Sequence, residues 1–389
     1  MDRRDFITEA CKSVVGAGIV AGLCSDPRFL AGITAGSIGE SGAKPAPVKK
    51  EVIFRAFGKT GLKVSEVGFG AMITNDSSVL AQALEMGINY IDTAARYQGG
   101  NNEKMIGNLL GKKRKNVIIC TKVPPGRIDE MERTVEQSLV SLKTDYLDLL
   151  LLHALKSEEE VQNREWQQFL AKLKKQGKTR FVGVSTHSNM AGVLKAVTKS
   201  KFYDAVLTTY NFKVGQDVKE AVAEARKAGV ATIAMKIMCG GYQAGASSKL
   251  NPFQAALRWV LNDKNIDTTI PSVTSMDQLN QNFDVMGSKM TFSDRKALSR
   301  YAHDIAPLHC SSCGSCDGSC THGVQCTDIL RFLMYAEGYR EMDLARESYS
   351  ELHASEKASR CLSCRRCMIK CAHSLDIRSR MREAHRLLA

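Results

Sequence analysis

The sequence has no apolar run of the roughly 18 residues that a spanning helix needs, which excludes a polytopic membrane protein. Only 8 of its 389 residues are proline and 30 are glycine, so the chain is neither collagen-like nor proline-rich. Aromatic residues make up 6%, and the basic stretches, such as 172–178 and 195–201, lack the interleaved aromatics of a nucleic-acid platform. The net charge of +13 is uneven: residues 1–50 carry 7 basic against 5 acidic residues, 51–300 carry 35 against 25, and 301–389 carry 12 against 11. A solvated basic face on the middle segment, with no nucleic-acid partner, is the expectation. What the chain does have is 44% apolar residues against 24% charged, enough for one large core or several smaller ones, which excludes wholesale disorder. It also has 13 cysteines, nine of them between Cys310 and Cys371.

The first segment, 1–50, opens Met1-Asp2-Arg3-Arg4-Asp5-Phe6-Ile7 and continues through a short, weakly apolar stretch from Val14 to Leu23. It resembles a twin-arginine (Tat) export signal, which implies recognition by the Tat machinery and delivery of the folded protein to the bacterial periplasm or the outer face of the membrane. Without a functional signal the location would be cytoplasmic. Gly16-Ala17-Gly18-Ile19-Val20-Ala21 spells a GxGxxA dinucleotide fingerprint, but Asp26-Pro27 and the glycines beyond deny it the long helix that motif requires. Leu23 before Cys24 is not the small residue a lipoprotein signal needs.

From 51 to 300 the chain alternates short β-branched runs with amphipathic helical stretches. Eight strands are expected at 64–69, 89–92, 116–121, 146–152, 179–184, 205–209, 231–235 and 268–270, with helices among the intervening stretches at 77–86, 103–110, 133–142, 159–176 and 218–228. Repetition over this length fits a TIM (β/α)8 barrel better than an open doubly wound sheet, which puts chemistry where strands end. Ahead of the repeats, Phe54 to Leu62 reads as a small hairpin turning at Gly58 to Gly61.

Four polar residues fall just after expected strands: Asp92, Tyr97, Lys122 and His153. A phenol gives up a proton more readily beside an ammonium, and a carboxylate fixes that ammonium in place. The expected roles are Tyr97 as general acid, Lys122 and Asp92 as its tuning pair, and His153 as a hydrogen-bond donor orienting a carbonyl oxygen. With Gly58-Lys59-Thr60-Gly61-Leu62, Gly68-Phe69-Gly70, Asp92-Thr93-Ala94, Asn102-Glu103, Ile106-Gly107 and Gly183-Val184-Ser185, these residues resemble the aldo-keto reductase family. The resemblance implies a TIM barrel, hydride transfer between NAD(P)H and a small carbonyl or alcohol substrate, and a catalytic tetrad of Asp92, Tyr97, Lys122 and His153. For the cofactor it implies contacts from Ser185, from Met235 in place of a stacking aromatic, and from Asn282 at the adenine, with Lys236 as a replacement cation. Thr186, Leu207, Ser272 and Gln278 depart from the family's cofactor residues. Losing two cations removes charge-assisted hydrogen bonds of about 1.5–3 kcal/mol each and leaves the choice of NADH or NADPH open.

The last segment, 301–389, contains two CxxCxxCxxxC runs: Cys310, Cys313, Cys316, Cys320 and Cys361, Cys364, Cys367, Cys371. Three thiolates on a tight loop can cap three irons of a cubane, while the fourth commonly reaches a second cluster. A zinc ribbon would leave four thiols unexplained, and such crowding suits disulfides poorly. The segment resembles a two-cluster bacterial-type ferredoxin module and implies a small, mainly helical, ferredoxin-like domain with two [4Fe-4S] clusters. Between the runs, 327–356 is helical in pattern, and Cys326 reads as a buried spare thiol.

Two readings of function follow. In one, the barrel reduces an aldehyde or ketone, or oxidises an alcohol, with NAD(P), and the clusters exchange electrons with a redox partner protein. In the other, the chain is an exported iron-sulfur electron-transfer protein whose barrel binds a ligand without using free nicotinamide.

Overall fold

A computed structural model describes residues 51–240 and 251–389. The export-signal reading, the GxGxxA motif and Cys24 lie outside the described residues. Residues 50–389 form one compact unit.

A hairpin opens the described chain: β1 (Phe54–Ala56) pairs antiparallel with β2 (Lys63–Ser65) through Arg55 opposite Val64. Eight parallel strands follow: β3 (Phe69–Gly70), β4 (Tyr90–Asp92), β5 (Ile118–Val123), β6 (Leu147–Leu152), β7 (Thr179–Thr186), β8 (Ala205–Thr209), β9 (Ala231–Met235) and β10 (Thr268–Thr269). Each pairs with its neighbours in chain order, and bridges from Val67 to Thr269 and from Gly70 to Ser272 close the sheet into a barrel. The run expected as one strand at 64–69 divides, because Ser65 pairs with Phe54 in the hairpin while Phe69 pairs with Ile91 in the barrel.

Side-chain alternation along the strands sorts the core into two layers. Tyr90, Ile118, Cys120, Leu149, Leu151, Leu207 and Ile233 fill the interior, joined by Phe57 and Val64 of the hairpin. Their chain neighbours Ile91, Ile119, Leu150, Leu152 and Val206 face outward into the apolar stripes of the surrounding helices. The helix expected over 159–176 breaks into Glu158–Val161 and Arg164–Lys175, because the Asn163 side chain accepts from the Trp166 amide at 3.1 Å and starts the second helix anew. Gly107 lets the helix Asn101–Leu110 pack against its neighbour, since a Cβ there would clash with the Ser141 carbonyl oxygen.

The helix Phe292–Ile305 crosses residue 300 and buries Tyr301 and Ile305 in the outer layer of the barrel core. Beyond it, the helices Cys326–Glu337, Met342–Ser350 and Ile377–Leu388 enclose a separate small core that includes Ile329, Leu333, Tyr349 and Met381. The pattern read over 327–356 thus becomes two helices and a turn, with Arg340 at φ 59° between them. This segment lies against the loop after β9: a Cβ on Gly338 would clash with the Gly240 carbonyl oxygen. Among the described residues no helix is long and apolar enough to cross a membrane.

Candidate active site

Asp92 ends β4, Lys122 lies near the end of β5, and His153 directly follows β6, so the barrel delivers all three to one mouth. Tyr97 enters from a turn held by left-handed backbone at Gln98 (φ 54°) and Gly99 (φ 60°). The Lys122 ammonium reaches Asp92 Oδ1 at 2.5 Å, the Thr93 carbonyl at 2.6 Å and the Tyr97 hydroxyl at 3.3 Å. The rings of Tyr97 and His153 meet edge to face at 6.2 Å. All four expected tetrad residues are therefore brought together.

A second ring of polar contacts fixes their backbones. Thr93 Oγ1 donates to Asn102 Oδ1 at 2.6 Å, Asn102 Nδ2 donates to the Ala71 carbonyl at 2.8 Å, and Thr121 Oγ1 donates to Glu103 at 2.6 Å. Burial without water makes such a network rigid when it is satisfied.

Burial is the largest single effect on Lys122 and lowers its pKa, but the Asp92 carboxylate together with Tyr97 and Cys120 outweighs it and holds the ammonium above the ordinary lysine value. Burial pushes the Tyr97 phenol up to about 12, and the opposing pull of Lys122 does not reverse it. The expectation that the ammonium would bring Tyr97 below its ordinary value is thus corrected: desolvation of the phenolate is the larger effect. His153 is held well below the usual imidazole range, first by burial and then by Lys122, Arg331, Arg96 and Lys236, and stays a neutral hydrogen-bond donor.

The mouth is a cavity whose wall includes Asp92, Tyr97, His153, Met235 and Lys236. Its far wall comes from the cysteine-bearing segment and includes Arg331, Phe332, Tyr335 and Tyr339. The Lys236 ammonium lies 4.4 Å from the ring centre of Tyr335, 5.1 Å from that of Tyr339 and 3.3 Å from the Tyr335 hydroxyl. The structure therefore points this cation at the C-terminal helices. Ser185 and Asn282 sit outside this lining. Ser185 is buried in β7, where its hydroxyl accepts from the Ala154 amide at 2.8 Å and donates to the Leu152 carbonyl at 3.4 Å. Asn282 is buried on the helix Met276–Phe283. Ser272 lines the mouth, while Gln278 accepts from the Thr274 amide at 2.8 Å.

Sequence reasoning missed His187, Arg331, Tyr335 and Tyr339 as parts of this cavity. His187 directly follows β7, so the strand-end rule that found His153 would have found it too. The other three arrive through long-range packing, for which the sequence carries no local signal.

The two cysteine runs are interleaved in space. The thiols of Cys313, Cys316 and Cys371 act on Cys310, whereas those of Cys320, Cys364 and Cys367 act on Cys361. Cys320, Cys361, Cys364 and Cys367 also line one cavity, together with the cations Arg360, Arg366 and Arg378. Cys326 is buried, as expected, although it lines the same cavity. Among the described residues, no group of three or more His, Cys, Asp or Glu side chains converges tightly enough to hold a single metal ion.

An eight-stranded parallel barrel thus carries a buried carboxylate, ammonium and phenol at its mouth, and its likeness to known oxidoreductases assigns it to that class of enzyme. Residues 69–252 match the aldo/keto reductase family. That match spans most of the barrel, from β3 to the helix after β9. The chain is 34% identical over 150 residues to the uncharacterized oxidoreductase YqkF of Bacillus subtilis, covering 34% of this chain and 48% of that protein. It is 26% identical over 253 residues to methylglyoxal reductase DkgB of Escherichia coli O157:H7, covering 61% of this chain and 92% of that protein. The chain spans about half the length of the first curated relatives it matches, YqkF and the L-galactose dehydrogenase of Arabidopsis thaliana. Among solved structures, the aldo-keto reductase AKR11C1 from Bacillus halodurans has a TM-score of 0.55 at 22% identity, covering 64% of this chain and 96% of that one. The thermostable aldo-keto reductase Tm1743 has a TM-score of 0.53 at 25% identity, covering 64% of this chain and 99% of that one.

Proposed function

We propose that this protein reduces a small aldehyde or ketone with NAD(P)H, or runs the reverse alcohol oxidation with NAD(P)+, and that two [4Fe-4S] clusters, one electron each, exchange the two electrons of the nicotinamide couple with a redox partner protein: the partner's electrons restore NAD(P)H after carbonyl reduction, or the electrons of NAD(P)H leave to the partner after alcohol oxidation. The reading rests on one observation above others: a single ammonium, Lys122, within reach of both Asp92 and the Tyr97 hydroxyl. The nicotinamide supplies hydride when bound. The chain's own residues do the rest. Neutral His153 donates a hydrogen bond to the carbonyl oxygen, Tyr97 Oη gives that oxygen its proton, and Lys122, fixed by Asp92, stabilises the phenolate left behind. Met235 gives the mouth an apolar surface suited to a flat ring, and Lys236 is a cation on the same wall. Similarity to a methylglyoxal reductase makes methylglyoxal a suitable first substrate.

The thiol grouping fits two cubanes, one held by Cys310, Cys313, Cys316 and Cys371 and the other by Cys320, Cys361, Cys364 and Cys367. Four thiolates around a cube stand wider apart than four around one ion, so the lack of a single-ion shell does not oppose this. Arg360, Arg366 and Arg378 suit the negative charge of such a cluster. Backbone amides also donate to the sulfurs, from Ser312 to Cys310 and from His373 to Cys371, each at 3.3 Å. One helix joins the two halves of the site: Thr327 in its first turn touches Cys316 at 3.6 Å, and Tyr335 lines the catalytic mouth about 12 Å further along the axis. Export through the Tat machinery belongs to the same proposal, since it carries folded holoproteins.

The second reading, a ligand-binding barrel that uses no free nicotinamide, is favoured by Ser185 and Gln278, whose polar groups are already engaged inside the protein. Anaerobically purified protein, given methylglyoxal with NADH or NADPH, separates the two. Turnover that Tyr97→Phe abolishes supports reduction; methylglyoxal left unreduced with both nicotinamides supports the second reading.

A further inference from the structure

The polar wall that the C-terminal segment adds to the mouth carries more positive charge than the tetrad needs. Among the described residues Lys236 makes no ion pair; its ammonium meets the Tyr335 and Tyr339 hydroxyls and the faces of both rings. Arg331, whose side chain is only 13% exposed, pairs through Nη2 with Asp328 Oδ1 at 2.8 Å, and that carboxylate is shared with Lys156. Its Nε is buried with no hydrogen-bond partner. A desolvated cation without a counter-charge is costly, and aromatic faces offset only part of that cost.

The carboxylates at the mouth do not cancel this charge. Asp92 bonds to Lys122 through Oδ1 and is shared in charge between Lys122 and the more distant Lys236, and the exposed Glu351 pairs with Arg96 at 2.9 Å. Glu347, also on the wall, is exposed. Deeper in, His153 and His187 are both acted on by Arg331, Lys236 and Lys122.

From this arrangement we infer that Arg331 and Lys236 form an anion-binding subsite, and that the preferred substrate is a small carbonyl compound bearing a carboxylate or a phosphate. The inference rests on the carbonyl-reducing reading of the same pocket. In it, the anionic group meets the guanidinium of Arg331 and the ammonium of Lys236 where both line the mouth, while the carbonyl faces Tyr97 and His153. The C-terminal segment thereby sets substrate choice.

The test compares matched pairs on the full-length, anaerobically purified protein: 4-carboxybenzaldehyde against benzaldehyde, and glyceraldehyde 3-phosphate against glyceraldehyde. The expected result is a kcat/KM higher by about tenfold or more for the anionic member of at least one pair, the pair identifying carboxylate or phosphate as the preferred group. Added salt should reduce that preference, and Arg331→Met and Lys236→Met should each bring the ratio toward one. Equal use of both members, or a preference untouched by both variants, overturns the subsite while leaving carbonyl reduction standing. If no aldehyde is turned over, the reduction reading fails and calorimetry decides the subsite with unreactive probes. Binding of 4-hydroxymethylbenzoate but not benzyl alcohol, weakened in both variants, then supports it, and no discrimination overturns it.

Discussion

Lys122 keeps its ammonium 3.3 Å from the Tyr97 hydroxyl, yet that phenol is pushed up to about 12 by its burial. The proton is therefore held on Tyr97 throughout the neutral range and leaves only when a carbonyl oxygen can accept it. Carbonyl reduction should hold its rate from neutral pH to about pH 10, because an acid is active while protonated. Tyr97→Phe should lower the rate by about 10²–10⁴-fold without unfolding the barrel, as read by steady-state kinetics beside circular dichroism.

His153 and His187 are both held well below the usual imidazole range, first by burial and then chiefly by neighbouring cations. The folded protein therefore binds fewer protons than the unfolded chain once the pH falls below about 6.5. Stability is full above that value and declines as pH falls toward the folded pKa values, by about 1.4 kcal/mol per pH unit for each histidine. Urea midpoints at pH 7, 6 and 5 should fall in that order, and His187→Asn should make the decline shallower.

The interleaving of the cysteine runs predicts which losses go together. Cys371→Ser should perturb the same spectroscopic signal as Cys310→Ser, although 61 positions separate them in the chain. Cys320→Ser should join Cys364→Ser in perturbing the other. Electron paramagnetic resonance of the reduced variants checks this, alongside an iron content near eight per intact chain.

Gly338 holds the C-terminal segment against the loop after β9. Gly338→Ala places a methyl group against the Gly240 carbonyl and should cost about 1–3 kcal/mol in denaturant unfolding. Because Tyr335 and Tyr339 flank this contact in sequence, the same change should raise KM more than it lowers kcat.

Much of the barrel was legible in the sequence because its signal is local. β-branched runs of fixed length recur between amphipathic stretches, and the strand-end rule then places Asp92, Lys122 and His153 without further information. Breaks such as Asn163 between two helices, or the division of 64–69, depend on a cap and on a pairing partner that periodicity does not report. The Tyr97 shift was misjudged for a related reason: sequence shows the ammonium nearby but not how thoroughly the phenol is removed from water. Arg331 and Tyr335 were illegible as site residues, since they reach the mouth, and Tyr335 reaches Lys236 across about a hundred positions, only when the segment folds back over it.

The most direct test of the coupled reaction is a titration of anaerobically purified holoprotein with NADH and with NADPH, following the visible iron-sulfur absorption. At least one nicotinamide should bleach that absorption, and a carbonyl substrate bound at Tyr97 should compete for its electrons. Clusters that stay oxidised in the presence of both nicotinamides, while a chemical reductant bleaches them, would contradict the coupling.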